Sequence, residues 1–126
     1  MKLESIKNNS NNTIRSYDNN CIKVNDDIYT QSFIITSDQL IPRWRPENFS
    51  DLCLKDLELI TDLDPEIIIL GSGNHLHFPE SSITAIVTSK NIGFEVMDTY
   101  AACRCYSLLL SEGRNVAAGL ILEKSI

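Results

Sequence analysis

Ile67-Ile68-Ile69-Leu70 constrains this chain more than any other stretch. Four large apolar residues with no polar alternation read as a strand covered on both faces, as in the middle of a parallel sheet. A parallel neighbour requires a crossover. The chain supplies one. Gly71-Ser72-Gly73 leaves the strand, a segment of helical length follows, and Phe94-Glu95-Val96-Met97 forms a second strand running into Asp98-Thr99. A second crossover helix places Ala101, Ala102, Cys105, Leu108 and Leu109 on one face, with Gly113 as its stop. Val116 to Leu122 closes the unit as a strand. Strand–helix–strand–helix–strand with short loops gives a right-handed parallel βαβαβ core. Loops at the carboxyl edge of such a sheet are where α/β folds hold ligands.

Upstream the pattern is β. Thr13–Tyr17, Cys21–Val24 and Ile28–Thr36 are separated by the turn clusters Asp18-Asn19-Asn20 and Asn25-Asp26-Asp27. They predict an N-terminal antiparallel meander of three strands, with Leu40-Ile41 as a short addition. Pro42 to Pro46 reads as a linker. Its Trp44 is either a partner-binding residue or a cover for the meander edge. Ser50 predicts a helix N-cap, with Asp51 in the first turn and Leu54, Leu57, Leu59 and Ile60 as the apolar stripe. Pro79 predicts the first turn of the next helix. Residues 1–12, rich in Asn and Ser, read as a frayed or disordered tail, and residues 13–126 as a single α/β domain.

With 126 residues, 43% hydrophobic and 22% charged, the chain has enough material for one core without disulfides or metals. The net charge of −6 opposes nonspecific nucleic-acid binding. No apolar run reaches the roughly 20 residues of a membrane span, and the start of the chain lacks an apolar signal core. A cytoplasmic, unprocessed protein is the expectation. Cys21, Cys53, Cys103 and Cys105 match no zinc or redox spacing, and His75 with His77 lacks a nearby third ligand, so no metal or cofactor is expected.

Two runs carry the site candidates. Gly71-Ser72-Gly73 lacks the third glycine of a dinucleotide fingerprint, since position 76 is Leu76, and lacks the lysine of a P-loop. Its glycines serve either close backbone approach to a small ligand or a tight exit from the sheet. Asp98-Thr99-Tyr100-Ala101-Ala102-Cys103-Arg104 opens a helix with unpaired amide donors, small residues and one cation, an anion receptor in outline. The alternative is that Asp98 caps the helix and Arg104 pairs with a carboxylate. Cys103 is either an activated thiol or a small core residue. The ligand-binding set is therefore Gly71, Ser72, Gly73, Asp98, Thr99, Cys103 and Arg104. No catalytic constellation is found.

Several motifs agree in order: Pro65 to Gly73, Phe78-Pro79, Gly93 to Thr99, Ala101-Ala102-Cys103-Arg104 with Tyr106, and Glu112-Gly113-Arg114 with Val116-Ala117-Ala118. Together they resemble the small Mth-type domain of unknown function found in bacterial and archaeal proteins and in mitochondrial respiratory complex I assembly factor 3. The resemblance covers roughly Thr13 to Glu123. It implies a three-layer α/β fold with a mixed central sheet and an added β-layer. It implies no established catalytic activity, and action through protein partners of respiratory or membrane assembly. The family pattern is altered at Ser72, Cys105 and Ser107. The expected function is a non-enzymatic binding protein. The alternative is a small-molecule or anion binder, or a weak enzyme, using the Gly71–Gly73 and Asp98–Arg104 crevice.

Overall fold

The computed structural model describes residues 11–18 and 20–124. The tail reading for residues 1–12 falls outside them, apart from Asn11 and Asn12. Asn12 is tied into the fold: its N–H donates to Ser37 O and its side-chain amide to Thr36 O and Gln39 O.

A five-stranded mixed sheet forms the middle layer. Its strands are β4 (Phe33–Thr36), β5 (Leu40–Ile41), β6 (Ile67–Gly71), β7 (Gly93–Met97) and β8 (Val116–Leu120), in the order β5-β4-β8-β6-β7. Strand β6 runs parallel to β7 and β8, as its unbroken apolar run predicts, and β4 pairs antiparallel with β8. A separate antiparallel sheet holds β1 (Ile14–Asp18), β2 (Cys21–Val24) and β3 (Asp27–Tyr29). Three helices complete the fold: α1 (Leu54–Thr61), α2 (Ser81–Thr88) and α3 (Thr99–Ser111).

The alternation of side chains across the central sheet builds two cores. Ile34, Ile68, Leu70 and Ala117 face the α1 side, with Leu57, Ile60, Val87 and Trp44. Phe33, Ile35, Ile69 and Ala118 face the other side, with Ala102, Cys103 and Tyr106 of α3 and Ile22 and Val24 of β2. The three layers are thus α1 and α2, the mixed sheet, and α3 with the small sheet.

Five expectations are corrected. Ile28–Thr36 is not one meander strand: β3 ends at Tyr29, and β4 joins the central sheet. Phe33 to Ile35 are all fully buried, so this run requires a strand covered on both faces. Ser50 lies in a short 3-10 turn, and α1 starts after Cys53. There the Asp56 carboxylate reaches back to the Cys53 N–H at 2.9 Å, closing the helix start three residues later than the Ser-Asp pair predicts. Pro79 precedes α2, whose N-cap is Glu80. The buried face of α3 is Thr99, Ala102, Cys103 and Tyr106, while Leu108 is 58% exposed. Finally, Trp44 is only 4% exposed and packs in the α1-side core, rather than standing out as a partner-binding side chain or covering the edge of the meander. Its indole N–H donates to Asp56 O at 3.2 Å.

Candidate functional site

The two crossover turns meet at the carboxyl edge of β6 and β7, where the sequence places them. Gly71, Ser72, Gly73 and Thr99 are all buried there. Their polar groups satisfy one another. Ser72 N–H donates to Met97 O (2.8 Å), Gly73 N–H to Thr99 Oγ1 (2.9 Å), and Thr99 N–H to Gly73 O (2.9 Å). The Thr99 hydroxyl donates onward to Ile121 O at 2.7 Å. Ser72 Oγ donates to His75 O and accepts from His77 N–H. A Cβ on Gly71 would stand 2.9 Å from Thr99 Oγ1 and 3.0 Å from Thr99 Cα. Of the two readings of the glycines, the observed contact is the tight exit: β6 leaves the sheet against the first residue of α3.

The loop does hold an anion, but one from the same chain. Asn74 N–H donates to Glu123 Oε2 at 3.0 Å, and the Asn74 amide donates to Glu123 Oε1 at 3.2 Å. Gly73 has φ +109, and a Cβ there would lie 2.2 Å from Glu123 Oε2. A carboxylate thus closes over the glycine turn from the segment that follows β8.

Asp98 caps α3, its Oδ1 accepting from Ala101 N–H at 2.8 Å. Arg104 lines a groove whose described lining residues do not include the glycine loop. Its guanidinium sits 5.9 Å from the centre of the Tyr100 ring, and Tyr100 packs on Tyr17 of β1 with ring centres 5.1 Å apart. Arg104 therefore opens into a groove of about 530 Å³ between β1 and α3, lined in part by Arg15, Tyr17, Tyr100, Cys103 and Ser107. Cys103 is 3% exposed, and burial pushes its thiol up to about 12, which opposes a thiolate at neutral pH. Among the described residues no group of three or more His, Cys, Asp or Glu side chains could hold a metal ion. No helix among them is long and apolar enough to cross a membrane.

The family model described as "Protein of unknown function (DUF498/DUF598)" matches residues 14–121. The chain belongs to this family. A relative from Xenopus tropicalis, named NADH dehydrogenase [ubiquinone] 1 alpha subcomplex assembly factor 3, is 33% identical over 73% of this chain and 57% of its own length. A Francisella tularensis relative named 13 kDa major membrane protein is 27% identical over 74% of this chain and 76% of its own. The chain spans about half the length of the assembly-factor relatives it matches. The NMR structure of a Xanthomonas campestris protein shares the fold, with a TM-score of 0.82, 34% identity, and coverage of 97% of this chain and 92% of that one.

The chain thus brings Gly71, Ser72, Gly73 and Thr99 into one hydrogen-bonded turn beside the Asp98 cap, and places Cys103 and Arg104 along the groove between β1 and α3. Arg15, Tyr17 and Glu123 are additions that sequence reasoning missed, and Tyr100 and Ser107 join the site from outside the expected ligand-binding set. Tyr100, Cys103, Arg104 and Ser107 do recur at helical spacing on one face of α3. Arg15 and Tyr17 carry no such signal, because nothing local tells which helix the small sheet covers. Two further surface residues stand beside the glycine turn: Leu76 is 51% exposed and Phe78 is 69% exposed.

Proposed function

We propose that this chain is a non-enzymatic, cytoplasmic binding protein that acts through protein partners, and that the loop carrying Leu76 and Phe78 is its contact surface. Phe78 carries the reading. A phenylalanine more than two-thirds exposed leaves apolar area in water that a partner would remove. It stands between two surface grooves, one lined by Phe49, Leu52 and Ile83, the other by Ala85, Phe94 and Val96. The neighbouring glycine turn offers no competing anion site at Gly73 or Asn74, since both amide donors are engaged within the chain. The assembly-factor relatives supply the partner class: proteins of respiratory NADH dehydrogenase assembly. The test is purification of the tagged chain from its native host, with identification of co-purifying NADH dehydrogenase proteins and fractionation of cytoplasm from membrane. The wild type retrieves them, and the folded L76S/F78S variant retrieves at least tenfold less. Equal retrieval by both overturns the assigned surface; no NADH dehydrogenase protein with the wild type overturns the partner class.

A further inference from the structure

The groove between β1 and α3 is separate from the Leu76–Phe78 surface, and its charge is opposite in sign to the net charge of the chain. The chain carries a net charge of −6, yet the charged residues lining this groove are Arg15 and Arg104, with no carboxylate among the described lining residues. Among the described residues neither arginine forms a salt bridge, whereas Arg45 and Arg114 each hold a carboxylate. Both groove arginines are specifically placed. Pairing of β1 with β2 passes from Ile14↔Val24 to Ser16↔Lys23, so Arg15 is the extra residue of a β-bulge. Bulges turn a side chain away from the regular pleat. Arg104 stands against the Tyr100 ring, which is itself packed on Tyr17. Asp98 and Glu123 act on the Tyr17 phenol, and both are engaged elsewhere. Asp98 is engaged with Ala101 N–H and Glu123 with Asn74. Burial first, then Cys103, Asp98, Glu123 and Tyr100, hold the Tyr17 phenol above its usual range, so it is a neutral hydroxyl at pH 7.

We propose that this groove binds the phosphoryl group of a small anion, with Arg15 and Arg104 as the two cationic contacts and the Ser107 hydroxyl as an added donor. Two arginines lining one hollow favour a dianion over a single carboxylate, because the second negative charge answers the second guanidinium and each charge-assisted bond adds to the other. The Tyr17–Tyr100 pair forms an apolar wall on which an organic body would rest.

Titration calorimetry and amide NMR at low salt, with inorganic phosphate and phenyl phosphate as probes, test the assignment. Binding of either probe, with resonance shifts confined to β1 and the first three turns of α3, is the expected result. R15Q and R104Q should each weaken it about tenfold, the size of one charge-assisted contact. R43Q, outside the groove, should leave it unchanged. Tighter binding of phenyl phosphate assigns an organic phosphate; equal affinities assign the free ion. Absence of binding by both probes up to about 10 mM overturns the proposal. So does an R15Q/R104Q chain that binds as the wild type does, or an R43Q effect equal to R104Q. Both arginines are exposed, and circular dichroism confirms that the variants fold.

Discussion

Gly73 carries two demands that a single substitution separates. Its φ of +109 lies where side chains rarely go, and its missing Cβ is the space taken by the Glu123 carboxylate. Gly113 shares the positive φ, at +77, but a Cβ there would meet nothing within 4 Å. Backbone strain alone predicts that Gly113→Ala costs about 1 kcal/mol. Gly73→Ala should cost more, roughly 1–3 kcal/mol, because the new methyl also displaces Glu123 from Asn74. Urea denaturation of both variants checks this. Equal losses would show that the Glu123 contact contributes nothing. The glycine turn also marks the limit of what residue types reveal. Gly-Ser-Gly after a strand announces close backbone approach. It does not say what approaches, and here the visitors are Thr99 and Glu123, 26 and 50 positions further along the chain.

The start of α1 depends on one carboxylate. Asp56 is buried, accepts from Cys53 N–H, and receives both Arg45 Nε (2.9 Å) and Nη2 (2.7 Å). Arg45 also donates to Asp51 O. Burial alone would raise the Asp56 pKa. The Arg45 and Cys53 hydrogen bonds outweigh it and hold the carboxyl below its usual 3.8. A carboxyl depressed in the folded state binds its proton more readily once unfolded. Its stabilisation is therefore complete above about pH 4–5 and is lost as pH falls through the depressed value. Asp56→Asn should cost roughly 1.5–3 kcal/mol at pH 7, the range for a hydrogen bond to a charged group. It should also flatten the loss of stability between about pH 5 and pH 2. Thermal melts of wild type and variant across that range measure both effects; parallel curves would exclude Asp56 as a source of the acid sensitivity. This helix shows why element starts are harder to read than element types. Ser50-Asp51 has the local chemistry of a cap, but Asp56 is fixed by an arginine eleven residues back, a partner that only the tertiary fold supplies. The β6 run, by contrast, needed no partner to be legible, since burial on both faces is written into four consecutive side chains. The same property shows in Phe33-Ile34-Ile35, and it takes that strand out of the meander and into the central sheet.

At the scale of the whole molecule, the question is whether the small sheet folds with the rest. Its own hydrogen bonds join only three short strands, which is marginal in isolation. What it has is a shared core. Ile22 and Val24 of β2 are buried against Phe33, Ile35, Ala102 and Tyr106, and the Tyr106 hydroxyl donates to Asn12 O just before β1. The core on the opposite face of the central sheet contains the chain's one tryptophan, Trp44, packed with Ile60 and Ile34. A Cβ on Gly119 of β8 would stand 2.7 Å from both Ile60 Cδ1 and Trp44 Cη2. The two cores are therefore one sheet thick apart, and Trp44 fluorescence reads the side that Ile22 does not touch. Ile22 is fully buried, so Ile22→Ala leaves a cavity that should cost about 2–5 kcal/mol. If the small sheet is part of one cooperative unit, that loss appears undiminished at Trp44. The fluorescence midpoint and the far-ultraviolet midpoint in denaturant move together, by the same free energy. If the small sheet unfolds by itself, Ile22→Ala shifts only an early far-ultraviolet phase and leaves the Trp44 transition where it was. The second outcome would separate the groove of Arg15 and Arg104 from the stable body of the protein, because one wall of that groove belongs to the small sheet. Coincident transitions would instead mean that β1 and α3 unfold as one unit with the central strands, and that both walls of the groove of Arg15 and Arg104 belong to the stable body of the protein.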